Sequence, residues 1–319
     1  MPHTHDLAWL RRVSSFGPSR IILTANNFDI FSLLDKKPMT APALARAAKT
    51  DARATELLLN SLAAIGLLEK KKNAFINTPV ASCYLVAGKP DYQGDILRHH
   101  NNLWESWSGL DRVLKTGRPN RRPRDIKSFI LGMHNLALQK AGKVVSSIDL
   151  KGVGALLDLG GGPGTYSMEF AKRNIDVTLC DFPDTLKISK RLIASAGLTK
   201  KIRLLPGDFT KDGMGSGYDL VFISQIFHAY SQDECQAMLK KAKAALNPGG
   251  RVVIQEFYLD ETRANPQQGA IFAINMLVNT SAGRTYTPSE MRSWLKKAGF
   301  SGAEEKLLGD TVLIFGRKK

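Results

Sequence analysis

The residues best placed to do chemistry lie together at Asp158-Leu-Gly160-Gly161-Gly162-Pro-Gly164-Thr165, after the apolar run Ala155–Leu159 and ahead of a helical stretch. A glycine-rich turn between a strand and a helix lets a ligand approach the backbone and meet the helix N-terminus. The order is Asp-x-Gly-x-Gly-x-Gly, with the acid two residues ahead of the first glycine. The dinucleotide pattern G-x-G-x-x-G would need Gly at residue 165, which is Thr, and no Walker lysine follows. Asp181, 23 residues further on, ends a second apolar run, and a carboxylate at a strand tip can accept hydrogen bonds from both hydroxyls of a ribose. Asp208-Phe209 ends a third run and pairs a carboxylate with a ring, which suits the exocyclic amine and the face of an adenine. Each Asp alone also reads as a loop-starting cap. Three successive strand tips point instead to a ligand with amino-acid, ribose and base portions.

The elements that must hold these groups follow from the pattern after Gly152. Short apolar runs at Ala155–Leu159, Val177–Cys180, Ile202–Leu205, Leu220–Ile223 and Val252–Glu256 alternate with helical stretches near 165–173, 184–196, 233–246 and 288–298. This predicts a parallel, Rossmann-like, doubly wound α/β sheet. Residues 5–150 read as mostly helical. Thr40 caps one predicted helix and Thr50-Asp51 opens another, in which Leu57, Leu58, Leu62, Ile65 and Leu68 recur at helical spacing. A short charged hairpin over Glu69–Asn77 completes a winged-helix pattern. Between the two regions, residues 95–146 carry Leu97, Leu103, Trp104, Trp107, Leu110, Phe129, Ile130, Met133, Leu136 and Leu138 on two helical stretches. The histidines there (His99, His100, His134) read as surface or satisfied side chains. The expected division is 1–95 winged helix, 96–150 helical linker contributing to a pocket, and 151–319 the α/β domain.

Composition narrows the class. The chain of 319 residues has 45 Lys+Arg against 29 Asp+Glu, a net charge of +16. A winged helix with such a charge suggests nucleic acid. The helix that would read bases, Leu57 to Leu68, is dominated by Leu and Ala, whereas a major-groove helix needs several Arg, Lys, Asn or Gln on one face. No nucleic-acid partner is expected. The dense run Arg118, Arg121, Arg122, Arg124 and Lys127 sits among prolines and reads as a solvated loop. No stretch of about 18 apolar residues exists to span a membrane, and residues 1–20 lack the apolar core of a secretion signal, so a cytoplasmic location is expected. Cys83, Cys180 and Cys235 have no disulfide or metal spacing and read as small buried hydrophobes. No metal is expected.

Asp158 to Gly164, Asp181, Gly207-Asp208-Phe209 and Asn247-Pro-Gly-Gly250 together resemble a class I S-adenosylmethionine-dependent methyltransferase. The segment Ser224-Gln-Ile-Phe-His228-Ala-Tyr-Ser-Gln-Asp-Glu-Cys235 narrows the resemblance to the small-molecule O-methyltransferases of the acetylserotonin, caffeic acid and bacterial polyketide or phenazine type. It spans nearly the whole chain, because that family also has an N-terminal winged-helix dimerisation domain. The resemblance implies a cytoplasmic homodimer whose swapped N-terminal helices help close the partner's pocket, with S-adenosylmethionine as methyl donor and S-adenosylhomocysteine as product. The expected cofactor-binding residues are Asp158, Gly160, Gly162, Gly164, Asp181, Phe182, Asp208, Phe209 and Ser224. His228 matches the family's general base, an imidazole that titrates near neutral pH, and Glu256 matches the carboxylate that orients it. The acceptor pocket matches at Phe129, Met133 and Met276, with Asn279 and Thr280 nearby. With Trp104 these describe an apolar slot for a planar phenol or enol.

Four positions depart from the family pattern. Ala229-Tyr230 stands where Asp-Trp is usual, Thr285 where the plant enzymes carry a second glutamate, and Ala273 where they carry an aspartate. The cofactor half of the pattern is intact and the catalytic half is thinner. Two rivals therefore stand beside O-methylation. One is methylation of carbon, nitrogen or sulfur, or a repurposed non-methylating relative. The other is a DNA-binding regulator with a ligand-sensing α/β domain.

Overall fold

Side-chain alternation along the strands after residue 150 sorts their apolar residues into two layers. In the computed structural model, which describes residues 6–123 and 125–319, Leu157, Leu159, Val221, Ile223, Val252 and Ile254 belong to one buried cluster. Leu156, Leu220, Phe222 and Val253 belong to another. Successive side chains of a strand point to opposite faces, so a strand covered on both faces reads as an unbroken apolar run. Burying each such side chain is worth roughly 1.5–3 kcal/mol.

The chain separates into two units, Met1–Asn102 and Leu103–Lys319. In the first, the helices Gly17–Asn27, Ile30–Lys36, Ala41–Ala48 and Ala52–Ala64 enclose a core of Ala25, Phe31, Leu44, Leu59, Leu62 and Phe75. Strands β1 (Met39–Thr40), β2 (Leu68–Lys71) and β3 (Ala74–Asn77) form an antiparallel sheet in the order β1-β3-β2. The Asp51 carboxylate caps the helix Ala52–Ala64 by accepting from the Ala54 N–H, whereas Thr40 makes no side-chain bond to the helix it precedes. The outer face of Ala52–Ala64 leaves Leu57 exposed. The helix Leu7–Val13 buries nothing and, with Phe16 after it, exposes Leu7, Leu10 and Val13.

The second unit is built on a seven-stranded sheet. Its strands are β4 (Ala155–Leu159), β5 (Asp176–Asp181), β6 (Ile202–Pro206), β7 (Tyr218–Ser224), β8 (Leu246–Phe257), β9 (Phe300–Leu308) and β10 (Thr311–Lys318), in the order β6-β5-β4-β7-β8-β10-β9. The first five are parallel, but β10 runs antiparallel to both β8 and β9. The five strands read from the sequence are parallel as expected, and the antiparallel hairpin of β9 and β10 extends the sheet and makes it mixed. Its C-terminal hairpin lies at an edge where Glu304, Glu305 and Lys306 stay exposed, so β9 lacks the apolar run of a central strand. Strand order reverses between β4 and β7, the switch point at which α/β sheets open a crevice for ligands.

The basic segment is partly spent inside this unit. Arg121 donates to Asn279 O at 3.0 Å and to Ser281 Oγ at 2.7 Å, and Arg122 pairs with Glu105 at 3.6 Å. Arg124 and the first five residues lie outside the described residues. Cys180 and Cys235 are buried and Cys83 half-buried, all as free thiols. Among the described residues no helix is long and apolar enough to cross a membrane.

Candidate active site

The turn after β4 is held by main-chain bonds from both sides. Gly160 N–H donates to Cys180 O at 2.8 Å and Ser189 Oγ donates to Gly162 O at 2.6 Å. Gly162 adopts φ +53°, in the left-handed region, and faces open space where a Cβ would stand. Gly160 has φ +67°, and a Cβ there would lie 2.4 Å from Ile226 Cδ1. Asp181, buried at the tip of β5, accepts from the Gly162 N–H at 2.8 Å and from the Phe182 N–H at 2.7 Å, one on each carboxylate oxygen.

Asp158 lies beneath this loop and is only 1% exposed. Its Oδ2 accepts from Ser167 Oγ at 2.6 Å, while Oδ1 is buried with no partner. Burial pushes its carboxyl up to about 7. The charge of Asp181 acts in the same direction and the Ser167 bond opposes it. At the tip of β6, Asp208 accepts from Thr210 N and Oγ1 and pairs with Lys211 at 3.2 Å. Those Thr210 bonds, above all, hold its carboxyl below the usual range. The buried Phe209 ring packs between the exposed ring of Phe182 at 5.3 Å and the edge of Tyr230 at 6.1 Å. Ser224 is committed behind the strand tips, donating to Gln255 Oε1 at 2.7 Å, while Gln255 donates to the Tyr166 hydroxyl at 3.0 Å.

His228 sits on a single 3-10 turn, Phe227–Ala229, directly after β7. Parallel pairing of β7 with β8 places Ser224 opposite Gln255, and so sets the turn beside Glu256. His228 Nδ1 lies 2.8 Å from Glu256 Oε2, with side-chain exposures of 12% and 4%. An ionised carboxylate can only accept, so against one the Nδ1–H is the donor, and in the neutral imidazole the lone pair then stands on Nε2. Phe272 meets the imidazole edge-on at 4.8 Å, and Phe257 stacks on Phe272 at 4.2 Å. These two rings wall the dyad with apolar surface.

The structure sets a carboxylate-bonded imidazole and a glycine loop with acidic strand tips in one α/β unit, and comparisons with known proteins give the family. A family model described as the O-methyltransferase domain matches residues 93–301, and one described as the O-methyltransferase dimerisation domain matches residues 10–87. The chain belongs to the O-methyltransferase family. It is 32% identical to a 3-hydroxy-5-methyl-1-naphthoate 3-O-methyltransferase of Streptomyces sahachiroi, over 85% of this chain and 83% of that one. It is 28% identical to the tetracenomycin polyketide synthesis 8-O-methyl transferase of Streptomyces glaucescens, over 99% of each. Among solved structures, human N-acetylserotonin methyltransferase in complex with S-adenosylmethionine superposes with TM-score 0.88 at 25% identity, over 100% of this chain and 99% of that one.

O-methyltransferases of this family use S-adenosylmethionine, and the loop after β4 fits that group. The orphaned Asp158 Oδ1 calls for a donor, Gly162 leaves room at the backbone, and Phe182 offers an exposed ring. The expected acceptor residues fall on three helices. Met276 is buried and Asn279 half-buried on Gln267–Asn279, the helix that brings Phe272 to His228. Phe129 and Met133 are half-buried on Ile126–Leu138, which packs on the helices Thr165–Ala171 and Pro183–Ser195 beside the glycine loop. His134 on that helix bonds Thr165 Oγ1 at 2.7 Å. Trp104 is half-buried near the end of Gly94–Trp107.

In this O-methyltransferase the departures from the plant pattern have structural occupants. Thr285 is buried and donates to Gly269 O at 2.8 Å, and Tyr286 donates to Tyr230 O at 2.7 Å. Phe272 and Phe257 pack near His228, and Trp107 bonds Asn275 on the same helix as Phe272; the sequence motifs singled out none of the four. Phe272 carried one usable signal, since it lies one helical turn before Met276.

Proposed function

We propose that the chain methylates the hydroxyl of a small aromatic or enolic acceptor, with His228 as general base oriented by Glu256. The observation that carries this reading is the 2.8 Å contact between His228 Nδ1 and Glu256 Oε2, which leaves Nε2 as the proton acceptor. When bound, S-adenosylmethionine supplies an electrophilic methyl group on a sulfonium. The residues that would hold it are Asp158, Gly160, Gly162, Gly164, Asp181, Phe182, Asp208 and Phe209, with Ser224 supporting the tip of β7 through Gln255. Trp104, Phe129, Met133, Met276 and Asn279, with Phe257 and Phe272 added, would form the acceptor slot.

His228 takes the hydroxyl proton at Nε2, and Glu256 stabilises the imidazolium through the bond at Nδ1. Phe257 and Phe272 place apolar surface beside the imidazole. Positioning supplies roughly 7–11 kcal/mol to such a transfer, whereas a general base contributes about 10²–10⁴-fold, near 3–5.5 kcal/mol. Alignment by the slot therefore outweighs the base. The relatives that act on naphthoate and polyketide hydroxyls support an aromatic acceptor.

We further read residues 1–95 as a winged-helix module that forms a homodimer, 96–150 as a linker to the pocket and 151–319 as the catalytic domain. The dimerisation-domain match and the exposed apolar residues of Leu7–Val13 and Phe16 support the dimer. Three free thiols fit a reducing, cytoplasmic setting. The test is methyl-labelled S-adenosylmethionine with hydroxylated aromatics, the label located by mass spectrometry. Label on oxygen that disappears in His228→Ala upholds the reading. Label on carbon, nitrogen or sulfur, or turnover unchanged by His228→Ala, overturns it.

A further inference from the structure

The base sits on very little structure of its own. The turn Phe227–Ala229 closes on two main-chain bonds, Ala229 N–H to Ile226 O and Tyr230 N–H to Phe227 O, each at 3.0 Å. A 3-10 turn this short has poorer hydrogen-bond geometry than an α-helix, so the position of His228 depends on what grips the turn from outside. The segment that follows the helix Gln267–Asn279 does so. Gly283 passes so close to the turn that a Cβ there would lie 2.3 Å from His228 O and 3.0 Å from Ala229 C. Its N–H donates to Thr280 Oγ1 at 2.9 Å, which ties it to the end of that helix. Three residues on, the Tyr286 hydroxyl donates to Tyr230 O at 2.7 Å.

Tyr286 is itself firmly held, at 2% exposure. Trp294 meets its ring edge-on at 4.7 Å, and the Arg284 guanidinium lies over it at 4.5 Å while pairing with Glu290 at 2.6 Å. The other side-chain bonds to the main chain of the turn are longer: Cys235 Sγ to Phe227 O at 3.4 Å, and His228 N–H to Glu256 Oε1 at 3.4 Å. A thiol is a weak donor, and 3.4 Å lies beyond the usual N–H···O range. The neighbouring Thr285 spends its hydroxyl on Gly269 O and brings no carboxylate to the imidazole. We propose that Tyr286 is a positioning residue whose hydroxyl, through Tyr230 O, holds the turn so that the His228 imidazole stays on Glu256. The proposal rests on the reading of His228 as a base oriented by Glu256, and adds the latch that keeps the pair together.

The test is proton NMR of the full chain, isotopically labelled at the histidine ring nitrogens, with S-adenosylhomocysteine present. The chain has 6 histidines, so signals are few, and the one lost in His228→Ala identifies the base. Tyr286→Phe, which removes only the hydroxyl, is expected to speed exchange of the His228 Nδ1–H with water about tenfold, the effect of one hydrogen bond lost from the closed turn. Gly283→Ala pushes on His228 O directly and is expected to move the signal. Main-chain amide exchange in β4 and affinity for S-adenosylhomocysteine should stay within about twofold in Tyr286→Phe. Equal exchange in wild type and Tyr286→Phe, an unmoved signal in Gly283→Ala, or acceleration in β4 as large as at His228 overturns the proposal. A wild type with no slowly exchanging His228 proton overturns the pairing with Glu256 and the latch with it. Methyl transfer to hydroxynaphthoates is followed in parallel, and Tyr286→Phe is expected to lower kcat about tenfold with KM within about twofold. Faster exchange in Tyr286→Phe without any transfer by the wild type upholds the latch and counts against the assigned reaction. Transfer that is unchanged in Tyr286→Phe sustains the reaction and sinks the proposal.

Discussion

The glycine loop and the His228 pocket are built from different material. Around Gly160–Gly164 the bonds run to main chain: Asp181 to two backbone N–H groups, Gly160 N–H to Cys180 O, Ser189 to Gly162 O. Around His228 they run from side chain to side chain, with Glu256 on the imidazole, Phe272 on its edge, and Trp107 and Asn279 on Asn275. A main-chain cradle depends on where the chain turns and so keeps its ligand through wide change of side chains. A side-chain pocket is retuned by one substitution, and there the family pattern is interrupted, at Ala229, Tyr230, Ala273 and Thr285. On the function proposed above, one region is a fixed socket for a common cofactor and the other an adjustable fit to one acceptor.

If the two regions are separable, His228→Ala should show it most sharply. Turnover should fall by about 10²–10⁴-fold, while calorimetry with S-adenosylhomocysteine should find affinity within about twofold of wild type. A matching loss of cofactor affinity would break the division.

The socket should answer to pH instead. Asp158 has its carboxyl raised by burial from 3.8 to about 7, so the folded chain binds a proton that the unfolded chain has released between those values. Stability without ligand should therefore fall as pH rises from about 4 to about 7, by on the order of 4 kcal/mol, and level off above. Urea denaturation across that range should find the fall in wild type and a flatter profile in Asp158→Asn. Equal profiles would mean that Asp158 is ionised throughout.

These contrasts also explain what could be read before the fold was known. β4 to β8 announce themselves because burial on both faces demands unbroken apolar runs, and the glycine order marks the loop because the backbone there takes conformations other residues avoid. The edge hairpin did not stand out, because half of β9 faces water. Nor did Gln267–Asn279, since Ala-Ile-Phe-Ala-Ile-Asn-Met-Leu-Val is apolar nearly all round and carries little of the 3.6-residue period by which a surface helix is recognised. With that helix unread, Phe272 and Asn275 had nothing to mark them, although Met276 matched the family and Asn279 lay near it. The His228–Glu256 contact spans 28 residues and becomes visible only when β7 pairs with β8.

Within the adjustable region, Glu256→Gln should be milder than loss of the base. Glutamine can still accept at Nδ1 but cannot offset an imidazolium charge. A hydrogen bond to a charged group is worth about 1.5–3 kcal/mol, so turnover should drop roughly 10- to 150-fold with the fold and KM for acceptor little changed. A loss as large as that of His228→Ala would mean that orientation, rather than proton transfer, dominates the dyad.

The smallest effect expected is also the most discriminating about the basic segment. Arg121 ties the loop before Ile126–Leu138 to the end of the helix bearing Asn275, Met276 and Asn279. Its partners are a helix C-terminal carbonyl and a hydroxyl, so the tie acts as a clamp on pocket geometry, worth about 1 kcal/mol. Arg121→Met should raise KM for the acceptor by about fivefold and leave cofactor affinity and kcat nearly unchanged. A solvated arginine would give no change, because nothing would depend on its hydrogen bonds. A site for an acidic substrate would instead make KM rise steeply with salt in the wild type and lose that dependence in the variant. A salt-independent fivefold rise therefore separates the clamp from both, and places the control of the adjustable region in the loop that crosses its supporting helix.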